Sequence, residues 1–228
     1  MNFNSPWEIK LSEMGIRERV TNILLLLYLI ERSSTKGKVE DELKLQKLVF
    51  LSQKELVERR LKAFSYNFFR WKKGPFSKHL RMDLNILIES HFLSSRYGKI
   101  ELTQRGKDLL NDCENLLTEN KQFLRFIDNV VSNFSGKSPE EIKDFVYDLQ
   151  VIVPRIRQIM TIRDVPPRQL ILFKTSDRKA RAIFNLDPSW LATLELSFDK
   201  DAMTSLERAV DDALEGRVHE YTIRDNST

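Results

Sequence analysis

A chain of 228 residues with 41% hydrophobic and 31% charged side chains can build a core and solvate a surface, which excludes wholesale disorder. Seven Gly and seven Pro are too few for a turn-rich all-β protein, and a single cysteine, Cys113, rules out an internal disulfide and fits a cytoplasmic location. The net charge of +4 is uneven: Lys and Arg outnumber Asp and Glu by 28 to 22 before Pro166, but fall short by 9 to 11 from Pro166 onward. A basic body with a slightly acidic end suggests two regions with different partners.

The first apolar run, Ile23 to Ile30, follows Arg17 and Arg19 and has no small-residue cleavage site, so no signal peptide is expected. Its eight residues fall well short of the roughly 20 that a membrane span needs. It belongs instead to a core helix from about Ile16 to Arg32, with Val20, Ile23, Leu24, Leu27, Tyr28 and Ile30 on the inner face. A polar connector over 33–42 leads to a second helix buried through Leu45, Leu48, Val49, Leu51, Ser52 and Leu56. The aromatic stretch from Phe64 to Trp71 predicts a strand, ended by turn chemistry at Lys73-Gly74-Pro75.

Ser77 caps a third helix whose Leu80, Leu84, Leu87 and Ile88 recur at helical spacing. Phe92–Ser95 and Lys99–Leu102 form a hairpin through Tyr97-Gly98. Thr103 opens a long helical region to about Phe134, broken near Thr118. Ser138-Pro139-Glu140-Glu141 starts another helix, with Ser as the cap and Glu three residues later. Pro154 interrupts the chain beyond that helix.

Asp164-Val165-Pro166-Pro167 is the expected domain boundary, because consecutive prolines stop helices. Beyond it, Gln169–Lys174 and Trp190–Phe198 read as strands. Asp199 caps a helix to about Glu215, Gly216 ends it, and Val218–Ile223 reads as a last strand. The fold expected is mainly α with a small β component: a helical domain over 1–165 holding a winged-helix-like module at about 43–106, then a small α/β region over 166–228.

Residues 77–106 have the order found in bacterial winged-helix proteins: helix, hairpin, then Leu102-Thr103-Gln104-Arg105-Gly106 opening the next helix. A wider resemblance covers about 15–135. The helix Lys44-Leu45-Gln46-Lys47-Leu48-Val49-Phe50, followed by an aromatic strand running into Gly74-Pro75-Phe76-Ser77, is similar to the Panacea (SocA-like) antitoxin domain and to YwgA-like bacterial proteins. The chain departs from that pattern in carrying Trp71-Lys72-Lys73 ahead of Gly74-Pro75, which displaces the turn's aromatic residue. The resemblance implies a non-catalytic protein that neutralises a toxin or adapts it to a partner, with a segment beyond the shared domain setting the target.

Two surfaces carry candidate sites. Arg70, Lys72, Lys73, Lys78 and Arg81 lie within an aromatic stretch with no acidic residue, which reads either as a nucleic-acid-binding surface or as a core strand whose aromatics are buried and whose cations are solvated. On the third helix, Arg81 and Asn85 face outward, where a winged helix reads bases, and Arg96 and Lys99 flank the wing. After Asp199, the stripe Leu206, Val210 and Leu214 reads either as a partner-gripping face or as a helix closing a small subdomain. Cys113 reads as a small core residue or a reactive thiol.

No catalytic, metal or cofactor site emerges. His79, His91 and His219 lack ligand spacing with each other or with Cys113. There is no phosphate-cradling glycine loop, and the acid pairs Glu140-Glu141 and Asp211-Asp212 diverge on helices. The expected function is an antitoxin-type or adaptor protein that binds a protein partner, in monomeric or oligomeric form. A DNA-binding regulator and a helical scaffold subunit of a larger complex are the alternatives.

Overall fold

The computed structural model describes residues 14–34, 41–153 and 156–217. The protein is mainly α-helical with small sheets. Helix α1 (Ile16–Ser34) runs through the centre and packs against several other helices, because its middle is apolar on every side: Leu24 to Leu27, Leu29 and Ile30 are all buried. Each such side chain contributes about 1.5–3 kcal/mol over an exposed one. Helix α2 (Glu42–Glu58), capped by Asp41, buries Leu45, Leu48, Val49, Leu51, Ser52 and Leu56 as expected.

The aromatic stretch is extended only in part. Strands β1 (Leu61–Lys62) and β2 (Phe68–Trp71) leave 63–67 outside any sheet. Amide side chains stand where a neighbouring strand would. Asn22 Oδ1 accepts from the Ser65 N–H at 2.8 Å; Gln53 accepts from the Tyr66 N–H at 2.9 Å and donates to the Tyr66 carbonyl at 2.6 Å. That satisfies buried backbone groups that would otherwise cost about 1–3 kcal/mol each. The turn is also tighter than expected. Only Lys72-Lys73 form it, and Gly74, at φ +101°, begins the return strand β3 (Gly74–Phe76), with Phe69 opposite Phe76. Pro75 is tolerated there because β3 is an edge strand.

Ser77 caps α3 (Lys78–Glu89), which buries Leu80, Leu84 and Leu87. The hairpin of β4 (Leu93–Arg96) and β5 (Lys99–Leu102) turns through Tyr97 and Gly98, both at positive φ. Thr103 caps α4 (Gln104–Asp112), and its hydroxyl also donates to the His91 carbonyl at 2.6 Å. Gly106 is required there, since a Cβ would sit 2.4 Å from the Phe92 carbonyl oxygen. The Leu-Thr-x-x-Gly signature is thus a clasp between the hairpin and α4.

The helical region expected to break once breaks twice, at Cys113 and Asn120, giving α5 (Glu114–Glu119) and α6 (Lys121–Phe134). Cys113 is buried, and burial pushes its thiol up to about 12. It is a core residue. Helix α7 (Pro139–Asp148) carries the full capping box at Ser138 and Glu141, and a second hairpin comes after it, β6 (Gln150–Val153) with β7 (Gln158–Thr161).

The largest corrections lie beyond Val165. Strand β8 (Leu170–Leu172) pairs with β2, and β9 (Ala182–Ile183) pairs with β1, so Pro166-Pro167 does not divide two cores. Ile171, Phe184, Leu186, Leu194 and Phe198 join the same apolar core as α1. Asn120 ties the segment down, accepting from the Asn185 N–H at 2.7 Å and donating to its carbonyl at 2.8 Å.

Trp190–Phe198, expected as a strand, lies within helix α8 (Pro188–Phe198). Its alternating apolar residues imitate a strand, but Asp187 as cap, Pro188 at the first position and good helix formers after it decide the outcome. Asp199 caps α9 (Lys200–Leu214), and Gly216 stands just past its end at φ +72°. The strand expected at Val218–Ile223, His219 and the interruption at Pro154 lie outside the described residues, as does most of the 33–42 connector.

Candidate functional site

The Lys-Leu-Gln-Lys segment of α2 builds the platform for the basic turn. Gln46 brackets one residue: its Oε1 accepts from the Ser77 N–H at 2.8 Å and its Nε2 donates to the Ser77 carbonyl at 3.0 Å. Lys47 is buried, and its Nζ donates to the Leu43 carbonyl at 3.0 Å. Burial lowers its pKa, only partly opposed by Asp41. Lys47 also backs the turn, with its Cε about 4.0 Å from where a Gly74 Cβ would be. These contacts fix where β3 ends and α3 begins.

The five cations of this stretch do not act as one group. Lys72, Lys73 and Lys78 are exposed, with no acidic partner among the described residues. Arg70 turns inward, donating from Nε to the Ile162 carbonyl at 3.0 Å with its guanidinium 4.7 Å from the Tyr147 ring centre. Arg81 holds the Glu42 carboxylate at 2.8 Å and covers Phe76 at 4.7 Å, yet remains half exposed. Phe64, Tyr66 and Phe68 are core, whereas Phe69, Trp71 and Phe76 are half-buried.

Asn85 is exposed on the outer face of α3 beside Met82 and Glu89. Arg96 and Lys99 are exposed cross-strand partners at the hairpin tip, flanking the fully exposed Tyr97.

Asp83 is not on that outer face. It is buried, accepts a 2.8 Å hydrogen bond from the Tyr66 hydroxyl and lies 3.7 Å from Arg19. Burial raises its carboxyl to about 6, although Tyr66 and Arg19 pull the other way. Sequence reading missed it because a lone aspartate on a charged helix looks solvated; only its placement one residue before the inward Leu84 hinted otherwise.

A second group also escaped notice. Lys62 and Lys174 both bind Glu18, and Lys62 also binds Asp177, which joins α1, β1 and the segment after β8. Burial raises the Glu18 carboxyl, but the bonds from Lys174 and Lys62 outweigh it and leave the group below its ordinary value. Its residues are far apart in sequence, so no local pattern signals it.

The third candidate is α9. None of its residues is buried, and Leu206, Val210 and Leu214 are 45%, 49% and 81% exposed. The helix touches α8, and Glu207 reaches Arg105 at 3.7 Å. Elsewhere, β6 and β7 set exposed Ile152 opposite exposed Ile159, an apolar pair that sequence reading did not single out.

No described helix is long and apolar enough to cross a membrane, and no cluster of three or more metal-binding side chains occurs among the described residues. Comparison with protein-family models, curated proteins and solved structures gave no match to this chain.

Proposed function

We propose that this chain is a non-catalytic bacterial regulatory protein of antitoxin or adaptor type, which works in the cytoplasm by binding a protein partner and neutralising or recruiting it. The observation that carries the reading is α9, a capped and terminated helix whose apolar stripe Leu206, Val210 and Leu214 stays about half exposed or more and lies outside the buried core. Exposed leucines at helical spacing gain stability only when something covers them. The resemblance of the α2 helix and the Gly-Pro turn to antitoxin domains points the same way.

The test is co-expression with the product of the adjacent gene. Copurification and relief of any toxicity should both be lost with Leu206→Asp plus Val210→Asp, while the circular dichroism spectrum stays unchanged. A partner captured equally well by the double variant removes α9 from the account.

A DNA-binding regulator remains the second reading, favoured by the exposed cations Lys72, Lys73 and Lys78 near the start of α3 and by Arg96 and Lys99 on the hairpin tip. If they contact phosphates, replacing Lys72, Lys73 and Lys78 with Gln should lower the log-log salt slope of DNA binding by up to about 0.9 for each phosphate no longer neutralised. Electrophoretic mobility shifts that are absent at low salt in the unmutated chain would end this reading.

A further inference from the structure

We infer that the partner element seated on α9 is an amphipathic helix with a row of Lys or Arg beside its apolar stripe. This rests on the proposed role of α9 and adds the chemistry of what it binds. The stripe does not stand alone. Glu207, Asp211 and Glu215 each come one position after a stripe residue, so the carboxylates recur every four residues along one flank of the apolar face. Asp211 has no basic partner among the described residues, and Glu207 only approaches Arg105, at 3.7 Å. Arg217 engages Asp212 and Glu215 at the far end.

The opposite flank is built from Ser205, Ala209 and Ala213, small enough for a second backbone to come close. Exposure rises along the stripe to 81% at Leu214, so the face is most open toward its C-terminal end.

The charge pattern decides between occupants. A second α9 packed antiparallel would set one acidic flank against another. A parallel one would set the acids against those small side chains. Neither supplies a cation, so a copy of this helix is a poor match, and like charges placed opposite each other are costly. A partner helix with an apolar stripe and a basic flank satisfies both features at once.

The experiment titrates the full chain against two synthetic helical peptides with identical Leu and Ala positions, one with Lys and the other with Glu along the flank. Fluorescence anisotropy should show the Lys peptide binding at least about tenfold more tightly at low salt, with the gap narrowing as salt rises. Leu206→Asp with Val210→Asp should abolish binding of the Lys peptide. Glu207→Gln, Asp211→Asn and Glu215→Gln together should weaken it roughly tenfold and remove its salt dependence.

Equal binding of the Glu peptide overturns the inference. So does a Lys peptide that still binds the Leu206→Asp, Val210→Asp chain, since that would be charge attraction without the stripe. Binding of neither peptide also overturns it, whereas the antitoxin or adaptor reading stands or falls separately, on capture of the adjacent gene product.

Discussion

Asp83 makes stability depend on pH in a direction opposite to that of most carboxylates. Folding raises its pKa from about 3.9 in an unfolded chain to about 6, so the native state holds the proton more firmly than the unfolded one. Its contribution is fully present below about pH 4 and is lost as pH rises through about 6, a difference of about 3 kcal/mol at neutral pH. Glu18 and Asp177 act oppositely, because their ion pairs with lysine lower their pKa values and their stabilisation is lost only as pH falls below the ordinary carboxylate range. The two windows are therefore separable. Urea midpoints between pH 7 and pH 4.5 should rise as pH falls in the unmutated chain, and Asp83→Asn should flatten that rise. A slope unchanged by Asp83→Asn would show that another group titrates there. None of this was legible in the sequence, because what raises the Asp83 carboxyl is its burial in the folded chain, which its hydrogen bond from Tyr66, seventeen residues away, only partly offsets.

At the scale of elements, local chemistry was readable wherever it was sufficient. Caps at Ser77, Thr103, Ser138 and Asp199 were legible, because a short polar side chain before an apolar helical period has one good use. The failures came where tertiary partners decide. Phe64 to Tyr66 have strand composition but lie beside helices, where Asn22 and Gln53 replace a strand neighbour. Trp190 to Phe198 alternate like a strand, yet α8 packs on α1, and its cap outweighs the alternation.

Helix α3 is a case where pattern and packing agree, and it yields a direct prediction. Leu84 and Leu87 are buried against the core, so replacing either with Ala should cost about 2–5 kcal/mol and lower the urea midpoint accordingly. Asn85→Ala, on the exposed face between them, should cost less than about 0.5 kcal/mol. A reversed order would mean that the helix presents its other face to the core.

For the whole molecule, the decisive question is how the chain beyond Pro167 belongs to the rest. Composition suggested a separate acidic region, because prolines and a charge reversal are the local marks of a linker. The pairing of β8 with β2 and β9 with β1 is non-local and leaves no such mark. Cutting after Val165 would strip β2 and β1 of these neighbours and uncover the core around Phe184, Leu186, Leu194 and Phe198. The shortened chain should aggregate or lose its cooperative urea transition, since several large apolar side chains would lose their cover at once. Cutting after Asp199 is a different operation. It removes α9, none of whose residues is buried, and keeps Phe198 against Phe92 with ring centres 5.6 Å apart. That chain should stay monodisperse, with a urea midpoint close to that of the full protein, and should no longer capture its partner. The pair of truncations separates the integrated part of the C-terminal region from its outlying helix. If the cut after Asp199 also collapses the fold, α9 is structural, and the exposed stripe loses its claim to a partner.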